Sequence, residues 1–260
     1  MKISAIIDYL NKRFPLDLAS DFDSEKIGLV IGDGNVELKN ILLALDLNLD
    51  VLLEAINFDA NLIIVHHPFI FHPLTKIHFQ DKYGKILSLM FEKQISLYVT
   101  HTPLDVGKGG VNDTLARLLG IQDLNYEIAK DKFIRYGKIK AIFLKDLAAE
   151  VKEKFELTGL RMAGNPDQVI RYLGVVGGSG GHESDIDYAI ALGLDCYITS
   201  EVSLHAAQKA VEHNLAIIEV NHGVEKFVLV PLGEELKEEF ALSERIRISK
   251  IETDPFVTIK

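Results

Sequence analysis

The stretch Leu62-Ile63-Ile64-Val65-His66-His67-Pro68 decides how this chain is interpreted, because an apolar strand runs there into a pair of histidines. The four leading residues form a continuous apolar run, which is typical of a strand covered on both faces. Pro68 restricts His67 to extended or polyproline backbone, and neighbouring side chains on such backbone point apart. Each imidazole can therefore serve a different metal ion. The alternative is a loop pair without a ligand role, which the apolar run before it disfavours.

Apolar runs and segments of helical periodicity alternate along the rest of the chain. Strands are predicted at residues 27–31, 41–45, 62–65, 97–100, 139–144, 169–176, 196–199 and 216–220, with an alternating edge strand at 245–251. Helices are predicted at residues 3–14, from about 49 onward, and at 83–92, 112–119, 147–155, 186–192, 204–213 and 224–240. Pro231 is expected to kink or break the last helix, and Leu52, Leu53 and Ile56 form the predicted apolar side of the second.

This alternation of strands and helices indicates an α/β protein. The polar stretch at 122–132 separates two alternating sets of elements. It predicts one domain at residues 1–125, carrying His66, His67 and Asp105, and a second at residues 126–260, carrying His222 and Glu225. The C-terminal segment of the second domain can pack back on the first.

Composition and charge exclude several classes of protein. The 260 residues are 48% hydrophobic and 25% charged, with a net charge of -10, a globular balance without the basic face of a nucleic-acid binder. An acidic surface also repels anionic membranes. No apolar run reaches the roughly 20 residues of a membrane span, and the N-terminus lacks the pattern of a signal peptide. We therefore expect a cytoplasmic protein with neither a membrane nor a nucleic-acid partner.

The single cysteine, Cys196, limits which disulfide, metal-site and nucleophile chemistry is possible. One cysteine allows no intramolecular disulfide and excludes a zinc site built from thiolates. Cys196 lies within an apolar run, so a buried core thiol is a better interpretation than a nucleophile.

Two more polar clusters follow predicted strands, at the carboxyl ends where α/β sheets gather their ligands. His101 and Asp105 follow the strand at 97–100. A carboxylate can bridge two cations through its two oxygens, so Asp105 is a candidate bridging ligand, and His101 is a candidate for substrate contact or proton transfer. The alternative for Asp105 is a helix or turn cap beside the glycines that follow.

The third cluster follows the strand at 216–220. If Asn221 caps a helix, His222 and Glu225 share one face of its first turn, which suits two ligands on one metal ion. The alternative is a glutamate that only favours the positive end of a helix.

Three histidine nitrogens and two carboxylates make up the proposed ligand set, which is His66, His67, Asp105, His222 and Glu225. This mixture suits zinc, iron, manganese or similar divalent ions. Five ligands cannot close two coordination spheres, and open positions are typical of catalytic rather than structural sites. Two ions about 3.5–4 Å apart can activate a water molecule as a nucleophile.

Two weaker features lie nearby. Residues 177–181, Gly-Gly-Ser-Gly-Gly, follow a strand and precede a helix, so their amides can hold an anion. A tight turn is an equal alternative, and the loop matches neither the Walker nor the dinucleotide pattern. Glu201 and His205 are candidates for moving protons in the same cleft. An ordinary helix start, with Ser200 as its cap, is an equal alternative for that segment.

Taken together, the motifs resemble the NIF-three-like family, whose bacterial members carry the name GTP cyclohydrolase 1 type 2 homologue. The resemblance covers nearly the whole chain, and its segments are 28–30, 63–70, 101–105, 176–181, 200–205 and 222–225. His-His-Pro, then His-Thr-Pro-Leu-Asp, then a late His-x-x-Glu is its specific combination. Ser200-Glu201 departs from the Gly-Asp or Gly-Glu of other members, and the inserted domain of some members is absent here.

The resemblance implies two related α/β domains with mixed sheets flanked by helices and a dinuclear metal site in the cleft between them. It also implies a toroidal homohexamer. Three functions follow as hypotheses. The first is a metal-dependent hydrolase acting on a nucleotide or another phosphorylated small molecule. The second is a non-catalytic metal-binding regulatory or scaffold protein. The third is a nucleotide sensor that uses the loop at 177–181.

Overall fold

The computed structural model of this chain describes residues 1–259. Its helices are α1 Ile3–Arg13, α2 Leu49–Asn57, α3 Lys82–Lys93, α4 His101–Val106, α5 Val111–Leu119, α6 Leu144–Lys154, α7 Glu183–Ala191, α8 Leu204–Glu212 and α9 Leu229–Phe240. Its strands are β1 Gly28–Ile31, β2 Asn40–Ala44, β3 Ala60–Val65, β4 Ser96–Val99, β5 Gln122–Asn125, β6 Arg135–Phe143, β7 Arg161–Ala163, β8 Val169–Val175, β9 Cys196–Thr199, β10 Ala216–Glu219 and β11 Ile246–Ile248. Short 3₁₀ helices occupy Leu16–Leu18 and His222–Val228.

The chain forms two compact units, each with its own sheet. Unit 1 comprises Met1–Gly107, Ala129–Asp131 and Val228–Thr253, and unit 2 comprises Lys108–Ile128, Lys132–Phe227 and the segment that starts at Asp254. Both units combine a mixed sheet with flanking helices, so the α/β prediction is confirmed. The predicted domain bounds, 1–125 and 126–260, stay a prediction.

The sheet of unit 1 has five strands in the order β1-β4-β3-β2-β11. β2, β3, β4 and β11 are parallel, and β1 runs antiparallel to β4. Every residue of β3 is buried, as its continuous apolar run predicts. Because β3 and β4 are parallel neighbours, the residues that follow them emerge at the same edge of the sheet.

The helices of unit 1 begin where the sequence supplies a cap. Asn48 accepts a hydrogen bond from the amide of Val51 at the start of α2, and Asp81 accepts one from Gly84 at the start of α3. Both side chains satisfy amides that have no partner inside the helix. The predicted apolar side of α2 is partly wrong, because Leu53 is exposed and Val51 and Ala55 are buried instead.

The sheet of unit 2 has six strands in the order β5-β6-β8-β9-β10-β7. β8, β9 and β10 are parallel, and the outer strands pair antiparallel. Cys196 opens the central strand β9 and is fully buried, where burial raises the pKa of its thiol. The interpretation of Cys196 as a core thiol is therefore confirmed. Gly120 ends α5 in the left-handed conformation, with a φ of 76°, as its position predicts.

The structure adds three local details to these expectations. The helix predicted at 224–240 is broken, as expected, into the 3₁₀ helix His222–Val228 and α9, and Pro231 lies in the first turn of α9, where no amide is needed. The alternative in which Ser200 caps the helix is not met, because Ser203 caps α8 and accepts a hydrogen bond from the amide of Ala206. Residues 101–106, which the predicted helices do not include, form α4.

Within residues 1–259, none of the helices combines the length and the apolar character needed to cross a membrane.

Candidate metal centre

Unit 1 brings three imidazoles together at the carboxyl edge of its sheet. His66 and His67 follow β3, and His101 follows β4. The ring centroids of His66 and His67 are 4.9 Å apart, those of His66 and His101 5.4 Å, and those of His67 and His101 5.9 Å. The backbone amide of His101 donates to the carbonyl of His66 at 3.0 Å, which fixes the relation between the two strand ends. We call these three residues the histidine cluster.

The ring of His67 is oriented by a carboxylate. Its Nδ1 lies 2.8 Å from Oδ1 of Asp46, whose other oxygen accepts from Oγ1 of Thr253 at 2.5 Å. Burial by itself raises the pKa of Asp46, but the hydrogen bonds from His67 and Thr253 outweigh it and lower that pKa. A charged carboxylate only accepts hydrogen bonds, so Nδ1 of His67 is the donor in this contact, and in a neutral imidazole Nε2 is then the ligand atom. Metal-ligating histidines are held in this way.

His101 is presented by the same kind of contact. Its Nδ1 lies 2.7 Å from Oδ1 of Asp23, a fully buried residue that also accepts from Oγ1 of Thr102 at 2.7 Å. Burial opposes ionisation of Asp23, but the bonds from His101 and Thr102 leave its pKa lowered. His101 has a φ of 34°, an unusual conformation for a residue with a side chain and one that gathers at functional sites. This geometry makes His101 a metal-ligand candidate beside its predicted role in proton transfer.

Asp105 reaches the cluster through α4. It lies four residues after His101, one helical turn further along the same face. Its Oδ1 is 3.4 Å from Nε2 of His66, and both side chains are buried. The turn-cap alternative for Asp105 does not explain an oxygen directed at an imidazole.

Unit 2 has its own pair of candidate ligands on the 3₁₀ helix. Nε2 of His222 lies 3.3 Å from Oε2 of Glu225. A 3₁₀ helix has three residues per turn, so side chains at i and i+3 stand directly above one another. The expectation that His222 and Glu225 share a face is met by a tighter helix than the predicted one. Asn221 donates its side-chain amide to Asp254.

Glu201 orients His222 as Asp46 orients His67. Its Oε1 lies 2.8 Å from Nδ1 of His222. Desolvation raises the pKa of Glu201, but hydrogen bonds from Ser179 and His222 outweigh it, so the pKa is lowered. Glu201 has a φ of 57° and lies outside any helix. With Nδ1 of His222 held by Glu201, Nε2 is the ring nitrogen that faces Glu225.

The glycine loop at 177–181 packs against this pair. Gly178 has a φ of +71°, and a Cβ atom at this position would lie 2.5 Å from Oε1 of Glu225 and 3.3 Å from Nε2 of His222. The carbonyl of Gly178 accepts from the amide of Ser200 at 3.1 Å. Glycine is therefore needed for close approach to both side chains, a use that neither the anion-loop nor the tight-turn interpretation contains.

Other predicted site residues remain untested by this geometry. His205 is exposed on α8, with Nδ1 3.3 Å from Oε1 of Gln208. Its role in proton transfer, and those of His101 and Glu201, stay predictions. Two carboxylates were missed by the sequence interpretation. Asp46 follows the apolar strand β2, which is a usable signal, whereas Asp23 lies in an irregular polar turn without one.

The donor separations within each unit fit a metal ion. Ligand atoms held about 2.0–2.1 Å from a tetrahedral zinc ion stand roughly 3.3 Å apart. The His66–Asp105 pair is separated by 3.4 Å and the His222–Glu225 pair by 3.3 Å. Imidazole nitrogens and carboxylate oxygens are the donors that zinc, iron and manganese accept.

The fold and these donors define a class: an α/β protein with carboxylate-oriented histidines at the carboxyl end of its strands. The Duf34/NIF3 (NGG1p interacting factor 3) family matches residues 1–255. The chain belongs to this family.

Relatives and solved structures agree along the whole chain. A GTP cyclohydrolase 1 type 2 homolog of Clostridium acetobutylicum is 30% identical over 267 residues, covering 98% of each chain. One of Lactococcus lactis is 31% identical and covers both chains completely. The structure of a NIF3-related protein of Bacillus cereus matches with a TM-score of 0.90 at 25% identity, covering 100% of this chain and 99% of its own.

Proposed function

We propose that this chain is a dinuclear divalent-metal protein that uses its ions for hydrolysis of a nucleotide or another phosphorylated small molecule. The proposed ligands are His66, His67, Asp105, His222 and Glu225, with His101 added to them. The ions are zinc, iron or manganese, the metals that this donor set suits.

One observation carries the proposal: two buried or half-buried histidine–carboxylate pairs whose facing atoms are 3.4 and 3.3 Å apart. That separation suits two atoms on one ion. The carboxylates behind His67, His101 and His222 add support, because each leaves Nε2 as the ligand atom.

The residues divide the chemical work. Bound ions would supply Lewis acidity and lower the pKa of a water molecule. They would also supply the positive charge that a phosphorylated substrate needs on a chain of net charge -10. Glu201 and His205 are assigned to proton movement, and Asp23 and Asp46 to holding the imidazoles in one orientation. The name shared by the relatives, GTP cyclohydrolase 1 type 2 homolog, supports a nucleotide as the first substrate to assay.

Metal analysis of protein purified without an affinity tag tests the first half of the proposal. We expect about two equivalents of divalent metal per chain, falling in His67→Ala and in Asp105→Ala. Asp59→Ala serves as the control, because Asp59 is an exposed aspartate of unit 1 that pairs with Lys39. Wild-type protein that holds no metal and takes none up on titration would overturn the proposal.

Turnover tests the second half. We expect metal-dependent hydrolysis of a member of a nucleotide and phosphoester panel, lost in both ligand variants while circular dichroism shows a folded chain. Full metal occupancy without turnover would instead favour a non-catalytic regulatory or scaffold protein.

We also propose a cytoplasmic location, which rests on the sequence pattern, and a homohexamer, which rests on the family resemblance. Light scattering coupled to size-exclusion chromatography tests it, and a monomeric mass would contradict it.

A further inference from the structure

Two exposed aromatic rings lie beside the histidine cluster in unit 1. Phe22 is 56% exposed and Phe71 is 41% exposed. Their ring centroids are 6.5 Å apart at an interplanar angle of 41°. The ring of Phe22 also meets the imidazole of His101 edge to face, at 6.3 Å and 77°. Exposed aromatic rings next to candidate ligands are a recognisable feature of binding sites.

The segment that carries Phe22 is the one that orients His101. Within the turn, the amide of Asp23 donates to the carbonyl of Ser20 at 2.9 Å, and the amide of Lys26 donates to the carbonyl of Asp23 at 2.8 Å. The carboxylate of Asp23 is fully buried against His101 and Thr102. Phe22 is therefore exposed on an anchored turn, and its position relative to the cluster is set by the same contacts.

A cation completes the arrangement. Nζ of Lys26 lies 3.7 Å from the ring centroid of Phe71 and 5.6 Å from that of Phe22. A lysine ammonium over an aromatic face is held there by the ring quadrupole. In a chain with a net charge of -10, this places a positive group over the two rings, one of which, Phe22, also meets His101.

We infer that Phe22, Phe71 and Lys26 form a substrate subsite for a nucleotide, in which the aromatic rings stack on the base and Lys26 pairs with the phosphate. The inference rests on the proposed function, and it names the part of the substrate that the metal ligands leave unassigned. Any planar base can stack on an aromatic side chain, because every base has a π-face whatever hydrogen-bonding groups it carries. An ammonium is a point charge that suits a phosphate oxygen.

The absence of tryptophan from this chain makes a direct test possible. In Phe22→Trp, the only tryptophan reports on stacking at the subsite through its fluorescence. Phe91→Trp is the matched control, because Phe91 is 67% exposed on α3 of the same unit. The probes are guanosine monophosphate, guanosine and ribose 5-phosphate. Each probe is titrated twice, once in the presence of zinc and once in the presence of a chelator.

We expect guanosine and its monophosphate to quench Phe22→Trp, the monophosphate at lower concentration, and neither to quench Phe91→Trp. Ribose 5-phosphate should leave the fluorescence unchanged. Calorimetry of chains without the introduced tryptophan is the second measurement. In it, Phe71→Ala should weaken the binding of guanosine monophosphate about tenfold or more, which is the size of a lost stacking contact. The metal content of this variant should be unchanged. Lys26→Ala should weaken the binding of guanosine monophosphate and leave the binding of guanosine unchanged.

Quenching that is equal in the two tryptophan variants, together with unchanged affinity in Phe71→Ala, would overturn the subsite. Because stacking is read without turnover, the two proposals can fail separately. Hydrolysis without base stacking would contradict the subsite and support the proposed hydrolase. Stacking without hydrolysis would support the subsite and contradict the hydrolase.

Discussion

Gly178 links the backbone conformation of the glycine loop to the positions of two candidate ligands. Its φ of +71° and its approach to Glu225 and His222 both demand glycine. We predict that Gly178→Ala lowers metal affinity at least tenfold, because the new Cβ would displace the carboxylate of Glu225. Gly193→Ala is the control, since Gly193 has a φ of +69° with open space around it. Metal titration of both variants by calorimetry measures the difference.

The control separates strain from contact. Gly193→Ala should cost about 1–2 kcal/mol of stability for left-handed backbone and leave metal affinity unchanged. Equal losses of affinity in the two variants would show that Gly178 matters only through backbone strain.

Asp46 gives a second prediction at this scale. Asp46→Ala removes the carboxylate that fixes the ring and the proton of His67, so metal affinity should fall about 10- to 100-fold. Competition with a fluorescent zinc chelator measures this affinity. Asp59→Ala is the matched aspartate control and should bind as the wild type does. An unchanged affinity in Asp46→Ala would mean that His67 is held without its carboxylate.

The sequence makes some of these residues predictable and leaves others hidden. His66 and His67 stand out because a buried strand ends at them. Asp46 could have been found in the same way, since it follows the buried end of β2. Asp23 could not, because its neighbours form an irregular turn and its partner His101 is 78 residues away. Contacts between distant segments leave no periodic signal.

At the scale of elements, burial decides what the sequence shows. The inner strands β3, β4 and β9 are buried at every position and read as apolar runs. The outer strand β5 has exposed polar residues, and β7 has only three residues, so neither has a pattern of its own. The helix α4 escapes detection because it has six residues and contains Pro103. Yet α4 is the element that brings Asp105 to His66.

The cap of α3 yields a prediction about pH. Hydrogen bonds from the amides of Gly84 and His78 lower the pKa of Asp81. A lowered folded-state pKa stabilises the fold above the unfolded value of about 3.9, and that stability is lost as the pH falls through the folded value. The stability of the wild type should therefore decline more between pH 6 and pH 2.5 than that of Asp81→Asn, which keeps a cap without the charge. Urea unfolding at both pH values measures it.

An identical pH dependence in the two proteins would show that Asp81 acts as a neutral cap. The comparison isolates one carboxylate because every other acidic group is common to both chains.

At the scale of the whole molecule, the chain returns to its first sheet after building its second. β11 pairs with β2 across roughly 200 residues, and α9 belongs to the same unit. The alternating pattern predicts an edge strand near the C-terminus, but the local sequence does not indicate which sheet that strand joins. Register between distant segments follows from packing that only the folded chain contains.

Cys196 allows the proposed metal ligands of the two units to be tested in one experiment. The thiol is fully buried in the central strand of unit 2, and burial raises its pKa, so it reacts with iodoacetamide only when that unit opens. A metal that binds the folded chain at 100 times its dissociation constant stabilises it by about 2.7 kcal/mol. We therefore predict that zinc slows labelling about 100-fold under mild urea.

The decisive variant lies in unit 1. If ligands from both units hold the ions, His67→Ala should lose most of the zinc protection of Cys196, although the substitution and the thiol belong to different units. His213→Ala is the control, because His213 is an exposed histidine of unit 2 whose Nδ1 lies 2.9 Å from the carbonyl of Lys209. It should keep full protection. Equal protection in His67→Ala and the wild type would mean that zinc binds unit 2 through His222 and Glu225 alone.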